Sequence, residues 1–307
     1  MSTHIQLHLR MATLRSLMLP LAMLTGAVFY KWMGELTFLS PYLIFSMLFI
    51  TYCRLDPAHI RPGKEECILL ALQWILAGVA FFIFRPLDLT LAQGIFICIY
   101  CPTATAAPVI TSMLGGSISR VATYSLIGNV AMAIAGPAVL ALVGDSSHIP
   151  LLHSALIILK RVMPLLLLPL LAAWLLRWAS PRAHSYICTR QQLSFYIWAI
   201  SLVIIVGSCV SFAISHWTQD QTVTIILLAL GALAACLIQF KAGRTIGRRF
   251  GDPVSGAQGL AQKNTVLAVW LALTYLNPLA SLAPAAYIAW QNIINSWQLM
   301  RKSDSKA

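Results

Sequence analysis

Charge is in short supply in this 307-residue chain, of which only 10% is Asp, Glu, Lys or Arg. Soluble domains carry about 25% charged residues, so the composition excludes an ordinary soluble domain. Acidic residues are the scarcer kind, with nine against 21 basic ones, and the formal net charge is +12. Such an excess could suit a nucleic-acid partner, but the placement of the basic residues favours none. The chain is 59% hydrophobic, which indicates a polytopic membrane protein.

Sequence signals for catalysis, metal binding and phosphate binding are also missing. No HExxH-like spacing joins the seven histidines, and no GxxxxGK[ST] loop occurs. The seven cysteines form no even framework and lie mostly in apolar runs, so we expect neither a disulfide nor a metal role for them. The polar and basic start leads into a full apolar run, and we expect no cleavable signal sequence.

Long apolar runs dominate what is present. A bilayer core about 30 Å thick needs roughly 20 apolar residues for each helical span. By that rule we predict an all-α polytopic membrane protein with ten spans: 14–34, 38–53, 66–85, 91–113, 118–143, 155–178, 193–215, 221–240, 253–275 and 279–299. A stretch over 148–161, before the sixth span, could lie along the interface.

Basic residues set the orientation of such a bundle, because cytoplasmic loops collect Lys and Arg. With the N-terminus inside, sixteen of the 21 basic residues fall in inner segments, while Lys31, Arg85, Lys160 and Arg161 lie on the outer side. This asymmetry explains the net charge without a nucleic acid. We expect both termini in the cytoplasm, the bilayer of a bacterial inner membrane as the surroundings, and a monomer.

Ten spans divide into two halves of five, 1–145 and 146–307, which start on opposite sides of the membrane because five is odd. A structural repeat between them would be inverted, as in many secondary transporters, whose sites lie at broken helices in corresponding positions. The fourth span of each half is the most disrupted one. In span four, Pro102 and Pro108 interrupt the helix. In span nine, the residues that loosen the helix are Gly251, Pro253, Gly256 and Gly259.

Polar residues follow in span nine at mid-membrane depth, where they are a functional-site hypothesis by default. They are Gln258, Gln262, Lys263, Asn264 and Thr265. Backbone groups freed by an unwound helix are tolerated in a membrane only when they are buried in protein or line a cavity. We therefore predict a binding site at the breaks of spans four and nine, although such kinks can also be purely architectural.

At these residues the chain resembles the bile acid:sodium symporter family. The family pattern in span four is CPGG-x-SN-VIT with a short turn after it, and residues 101–111 read CPTATAAPVIT, followed by Gly115 and Gly116. The family pattern in span nine is E-x-G-x-QN, and residues 258–264 read QGLAQKN. In span three, an Arg-Pro pair precedes Gln73, as in the family.

The resemblance implies that spans four and nine cross at their unwound centres. It implies a core domain of spans three to five and eight to ten, a panel domain of spans one, two, six and seven, and a substrate cavity between them with sodium beside the crossing. The polar residues that remain as possible sodium ligands are Gln73, Gln262, Ser125 and Asn129. Asn129 could instead join helices. The other residues that could line the cavity are Thr103, Thr105, Pro108, Asn264 and Thr265.

The sodium chemistry of the family carries over poorly. Sodium prefers oxygen ligands, and a carboxylate among them compensates its charge. The glutamate of the family is Gln258 here, its Ser and Asn in span four are Ala107 and Pro108, and its Asn in span nine is Lys263. All nine acidic residues fall at span ends or in loops. We therefore expect no cofactor, with sodium doubtful and its coupling weak or absent.

Lys263 is a physical substitute for the missing cation. An ammonium donates three hydrogen bonds, which would suit freed carbonyls, the amides of Gln258 and Gln262, or a bound anion. An uncompensated charge at that depth costs roughly 2.5–3.5 kcal/mol even on insertion scales. The amine could also carry a proton. The alternative is that the side chain snorkels to an interface, although it lies in the middle of its span.

The leading functional hypothesis is a secondary transporter of a small organic anion, steroidal or another carboxylate, that works by alternating access. The alternative is an arsenite-type permease of the same wider fold, suggested by Cys101 in the span-four break, although the carboxylate expected in span nine is missing. An intramembrane enzyme would need paired Asp, a His/Ser set or metal ligands within spans, and none is visible. A sensor subunit is a further alternative, and it is disfavoured because a sensor would usually carry a soluble domain.

Overall fold

The computed structural model of the chain describes residues 21–54, 62–104, 106–144, 150–190, 192–215 and 219–304. These residues form helices and turns, with one isolated bridge and no strand. After a helical stretch over 21–28, the α-helices are α1 (Tyr30–Glu35), α2 (Ser40–Cys53), α3 (Lys64–Phe84), α4 (Leu89–Tyr100), α5 (Ala107–Leu114), α6 (Ile118–Val143), α7 (Leu151–Ala179), α8 (Pro181–Thr189), α9 (Gln192–Ser215), α10 (Thr222–Arg249), α11 (Pro253–Ala261), α12 (Thr265–Tyr275) and α13 (Leu282–Asp304). Short 3-10 turns lie at Leu36–Leu39, Gln219–Gln221 and Pro278–Ser281.

Six stretches are long and apolar enough to cross a membrane: Tyr30–Cys53, Lys64–Phe84, Ile118–Val143, Leu152–Ala179, Tyr196–Ser215 and Thr222–Arg249. The chain is therefore an integral membrane protein with several helical spans. Predicted spans four and nine do not reach this length because each is divided into two short helices. Predicted span ten corresponds to α13, which carries polar residues along its length. The ten-span count stays a prediction.

The division of span four follows from its prolines. Helix α4 ends at Tyr100, and Pro102 has no N–H with which to continue the hydrogen bonding of the helix. Pro108 lies in the first turn of α5, where the missing N–H costs nothing because it would have no partner within the helix. In span nine the division lies between Ala261 and Thr265, after the glycines rather than at them.

Each divided span begins with an aspartate that caps its first helix. The Asp88 side chain accepts a hydrogen bond from the Leu91 N–H at 2.8 Å at the start of α4, and the Asp252 side chain accepts one from the Ser255 N–H at 2.9 Å at the start of α11. Such caps satisfy backbone donors that a helix start leaves free. The two spans therefore share their starting chemistry as well as their break.

Gly256 has a different role from the one that its sequence position suggested. It lies inside α11, a regular helix, where it packs directly against Gly243 and Gly247 of α10. A Cβ atom built on Gly256 or on Gly243 would overlap the carbonyl oxygen of the other residue. The small residues therefore permit close helix packing, as is common in membrane proteins, rather than loosening the helix.

Two helix boundaries differ from the predicted ones, and one helix is additional. The stretch predicted as interfacial belongs from Leu151 onward to α7, one continuous helix that runs through Pro164 and Pro169 to Ala179. Helix α10 extends to Arg249, well beyond the predicted end at 240, because its last turns pack on α11 through glycines. Helix α8 was not predicted at all.

The helix contacts fall into two groups. Helices α3, α4, α10, α11 and α13 pack with one another, together with α5, α6 and α12. Helices α1, α2, α7 and α9 form the second group, in which α9 contacts α1 and α2, and α2 contacts α7. The groups meet extensively where α6 packs on α7, and they also meet where α12 contacts α2 and α9 and where α13 contacts α9. The separation into a core and a panel domain, with a boundary at 145, stays a prediction.

Candidate functional site

The breaks of spans four and nine lie side by side. Thr103 and Lys263 form an antiparallel bridge, the only one among the described residues. Two backbone hydrogen bonds of 2.8 Å and 2.9 Å flank it, the first from the Ala104 N–H to the Gln262 carbonyl and the second from the Asn264 N–H to the Pro102 carbonyl. Each break therefore supplies backbone partners that the other has lost, as a buried backbone in a membrane requires. This is the geometry of two broken helices that cross at their unwound centres.

A Gln–Tyr pair holds the end of α4. The Gln73 amide nitrogen donates to the carbonyl oxygens of Tyr100 at 2.7 Å and Cys101 at 3.0 Å. The Tyr124 hydroxyl donates to the Gln73 amide oxygen at 2.6 Å. Both side chains are buried. Gln73, which the resemblance marked as a possible sodium ligand, thus binds backbone carbonyls and a tyrosine.

A second Gln–Tyr pair holds the end of α11. The Tyr287 hydroxyl donates to the Ala261 carbonyl oxygen at 2.8 Å and accepts a hydrogen bond from the Gln239 amide nitrogen at 3.0 Å. Gln73 and Tyr124 come from the third and fifth predicted spans, and this second pair comes from the eighth and tenth. The sequence analysis missed three of these four residues, because a lone Tyr or Gln in a span gives no signal by itself.

Lys263 is 1% exposed, and its ammonium has no hydrogen-bond partner within the part of the chain that the structure describes. The sequence-based expectation of carbonyl or amide acceptors is therefore not met by these residues. The backbone N–H of Lys263 donates to the Gln291 amide oxygen at 3.0 Å. The thiols of Cys98, Cys101 and Cys236 lie close enough to the ammonium to interact with it electrostatically.

The predicted residues of spans four and five form a chain of hydrogen bonds beside the crossing. The Thr103 hydroxyl donates to the Gly259 carbonyl at 2.7 Å, and the Ser125 hydroxyl donates to the Thr103 carbonyl at 3.3 Å. The Asn129 amide nitrogen donates to the Ser125 carbonyl at 2.7 Å, and its amide oxygen has no donor among the described residues. Thr105 lies outside the described residues, and Pro108 is half-buried in α5.

The predicted residues of span nine are all buried around the crossing. The Asn264 side-chain oxygen caps α12 by accepting from the Leu267 N–H at 3.2 Å. Thr265 follows it in the first turn, and its hydroxyl has no partner among the described residues. One helical turn before the break, the Gln258 amide nitrogen donates to the side-chain oxygens of Asn295 at 3.1 Å and Gln298 at 3.3 Å.

Helix α13 contributes three amides that the sequence analysis did not single out. Gln291, Asn295 and Gln298 recur at the four- and three-residue spacing that places side chains on one face of a helix. Gln291 and Asn295 are buried. The recurrence of amides along one helix face was the available signal. The face turns toward α11 and the crossing, so α13 belongs to the site.

Around the crossing, the described residues leave five buried donor nitrogens without an acceptor, against three buried amide oxygens without a donor, those of Asn129, Gln239 and Gln258. The donors are the side-chain nitrogens of Gln262, Lys263, Asn264, Gln291 and Asn295. Because the oxygens of Gln291 and Asn264 accept hydrogen bonds from backbone N–H groups, the orientation of these two amides is fixed. A buried donor without an acceptor costs about 1–3 kcal/mol, so this group calls for a ligand rich in acceptors.

Carboxylates lie away from the crossing, at helix ends. Glu65 at the start of α3 accepts a hydrogen bond from Arg120 at 2.8 Å, and the same guanidinium donates to the Phe250 carbonyl at 3.0 Å. Burial raises the pKa of the Asp252 carboxyl, but hydrogen bonds from Ser255 and Ser117 outweigh this effect and hold it below its usual value. These groups anchor the starts of helices. Among the described residues, therefore, no carboxylate lies at the crossing to compensate the positive charge of Lys263.

The model of the SBF-like CPA transporter family matches residues 36–294. The matched region contains both breaks, both Gln–Tyr pairs and Lys263. No curated protein is significantly similar to the chain.

Proposed function

Since the chain belongs to the SBF-like CPA transporter family, we propose that it is a secondary transporter that carries a small organic anion by alternating access. The family assignment confirms the resemblance that the motifs of spans three, four and nine indicated, and it identifies the chain as a membrane transporter. The substrate, the coupling and the mechanism are our proposal. We also propose that the termini are cytoplasmic and that the membrane is a bacterial inner membrane.

The observation that supports an anion is the excess of buried donors at the crossing. An ammonium and four amide nitrogens lack acceptors among the described residues. A carboxylate has two oxygens with about four acceptor positions and a charge opposite to that of Lys263. Binding of a carboxylate would therefore supply acceptors and compensate the ammonium in one step. A neutral ligand would leave the charge unpaired.

We propose that sodium coupling is weak or absent. A sodium site needs oxygen ligands and a carboxylate that compensates the charge, and here Gln258 and Lys263 stand where the family has Glu and Asn. Gln258 turns its amide nitrogen toward the oxygens of Asn295 and Gln298, and Gln73 uses both its nitrogen and its oxygen within the protein. Lys263 would act as the fixed cation of the site or as a proton carrier.

In alternating access, a binding site on a rigid element is exposed first to one side of the membrane and then to the other. The hydrogen-bonded breaks and the two Gln–Tyr pairs support such an element, because they tie α3, α6, α10 and α13 to the crossing. The equivalent caps and pairs in the two halves also support an inverted repeat. In this proposal the crossing stays intact, and the substrate is exposed by motion of the helix group around α2, α7 and α9.

A thermal-shift screen of organic anions with the purified protein, with and without sodium, tests the proposal. A ligand at about one hundred times its Kd raises the free energy of unfolding by about 2.7 kcal/mol, which gives a readily measured shift. We expect carboxylates to stabilise the wild-type protein equally with sodium and with potassium. Stabilisation that requires sodium, or that is unchanged by Lys263→Ala, would refute the proposed site.

A metalloid permease is a second candidate, favoured by the thiols near Lys263. Cys98 and Cys101 stand three residues apart, a CxxC spacing that the sequence analysis overlooked, and Cys236 of α10 also interacts electrostatically with the ammonium. Among the described residues, however, no three of the side chains of His, Cys, Asp and Glu converge on one position. If this candidate is right, Cys101→Ser should abolish metalloid export. Retained export, or no export by the wild type, would exclude it.

A further inference from the structure

Helix α8 is a nine-residue helix that leads away from the end of α7 and lies against α2. The Cys188 thiol donates to the carbonyl oxygen of Cys53, the last residue of α2, at 3.1 Å. Ile187 beside it packs on the hydrophobic core, while Tyr186 and Thr189 are exposed. The helix is thus docked by one face where two membrane-spanning stretches end. Its other face is open.

Four arginines surround this helix, and we call them the α8 patch. Arg54 caps the end of α2, Arg177 lies in the last turn of α7, and Arg182 and Arg190 lie at the two ends of α8. All four side chains are exposed. Arg54 and Arg177 both act electrostatically on the Cys188 thiol, so they lie near this helix.

The α8 patch has little acidic sequence around it. Residues 146–219, which include α7, α8 and α9, contain no Asp or Glu. Two of the three helices that meet at the patch therefore contribute positive charge alone. A surface of this kind attracts an external anion, because guanidinium groups bind phosphate through paired hydrogen bonds.

Aromatic side chains accompany the arginines. Trp178 is 82% exposed and Tyr186 is 61% exposed, and the Arg190 guanidinium lies over the Tyr186 ring at 5.0 Å from its centroid. Trp and Tyr with one apolar and one polar end settle at the level of lipid headgroups. Amphipathic helices with basic polar faces lie in the same layer. The rings place the patch at the height of the lipid phosphates.

We propose that the α8 patch binds the headgroup of an anionic phospholipid in the leaflet where α2 and α7 end. The phosphate is held between guanidinium groups of the patch, and Trp178 and Tyr186 lie against the glycerol and upper acyl region. The bound lipid joins α2, α7 and α8. This site is separate from the crossing and does not depend on the proposed transport function.

The test compares the full-length protein with a triple variant, Arg54→Gln, Arg182→Gln and Arg190→Gln. A control of equal charge loss replaces by Gln three exposed basic residues outside the patch: Lys31 in α1, Arg85 after the end of α3, and Lys160 in the first half of α7. Binding of phosphatidylglycerol and of phosphatidylcholine in detergent is titrated by native mass spectrometry. Each basic residue near an anionic surface is worth about a fivefold change in affinity, so the triple variant should bind phosphatidylglycerol about one hundred times more weakly.

We expect the wild type and the control variant to bind phosphatidylglycerol in a saturable way and to prefer it to phosphatidylcholine. We also expect affinity to fall as the salt concentration rises from about 0.05 M to about 0.5 M, because exposed charges are screened. Equal loss in the control variant, or unchanged binding in the triple variant, would overturn the proposal. So would equally tight binding of free glycerol phosphate, which would show a general anion site. If the triple variant does not fold, the single variants Arg182→Gln and Arg190→Gln give the same test, and each should bind phosphatidylglycerol about five times more weakly than the wild type.

Discussion

The Tyr287 hydroxyl is predicted to stabilise the end of α11, and Tyr287→Phe tests this contribution with the loss of one atom. The change removes the 2.8 Å hydrogen bond to the Ala261 carbonyl and the 3.0 Å one from Gln239. Gln239 keeps a donation to the Ala235 carbonyl at 3.2 Å, but no other donor to the Ala261 carbonyl is known among the described residues. The main loss is therefore one buried carbonyl left without a partner.

The expected loss follows from the energies of such groups. A buried acceptor left unpaired costs about 1–3 kcal/mol in water-soluble proteins. Hydrogen bonds between membrane helices average about 0.6 kcal/mol, so we expect a value near the lower end, about 1 kcal/mol. At roughly 2 °C for each kcal/mol, Tyr287→Phe should lower the Tm of the detergent-purified protein by about 2 °C.

Tyr52 provides a matched control for this experiment. It is 3% exposed, and its hydroxyl has no hydrogen-bond partner within the described chain. Tyr52→Phe should therefore leave the Tm unchanged or raise it slightly, whereas Tyr124→Phe, which breaks the bond to Gln73, should resemble Tyr287→Phe. Equal Tm values for Tyr287→Phe and Tyr52→Phe would refute the role that we assign to the Gln–Tyr pairs.

Three further predictions concern other parts of the core. Gly256→Ala should cost about 1–3 kcal/mol by forcing α11 away from α10, while Gly78→Ala, where a Cβ meets no neighbouring atom, should be neutral or stabilising in the same thermal denaturation. Because the pKa of Asp252 lies below its usual 3.8 in the folded protein, its carboxylate stabilises the fold above that pH and the contribution is lost as pH falls through the folded pKa. Asp252→Asn should therefore lower the Tm near neutral pH and flatten the loss of Tm on acidification, and an unchanged acid profile would contradict this. Gln258→Glu should make the Tm sodium-dependent, since it adds the missing carboxylate beside Asn295; a variant as indifferent to sodium as the wild type would argue against our explanation of the lost coupling.

The sequence alone predicted the breaks at the crossing well. The two prolines of span four and the polar run of span nine act locally, through a missing N–H and through polar side chains at membrane depth. Their effect does not depend on which helices lie nearby. The meeting of the two breaks at Thr103 and Lys263 came from the resemblance, and the backbone bonds of the structure show it directly.

The partners of the crossing were much less predictable. Which side chain reaches a freed carbonyl depends on the rotation and register of packed helices, and a single sequence does not specify these. Tyr287 and Gln291 therefore could not be told from other residues of the span. In the structure, the Tyr287 hydroxyl donates to the last carbonyl of α11, and the Gln291 amide oxygen accepts a hydrogen bond from the Lys263 backbone N–H. Gly256 was interpreted as a helix breaker, whereas its neighbours across α10 give it a packing role. Helix α8 escaped notice because nine residues between two apolar runs are too short to give a clear periodic signal.

The most direct test of the central claim is uptake of a stabilising carboxylate into proteoliposomes by the wild type, Lys263→Ala and Lys263→Asn. Each protein is measured with sodium or potassium at several pH values. We predict uptake by the wild type that does not depend on sodium, and at least a tenfold weaker apparent affinity in both variants, because truncating one partner of a buried charge pair costs about 2–5 kcal/mol and about 1.4 kcal/mol is tenfold. Wild-type uptake that requires sodium, or variants with unchanged affinity and coupling, would contradict the assignment of Lys263 as the cation of the site.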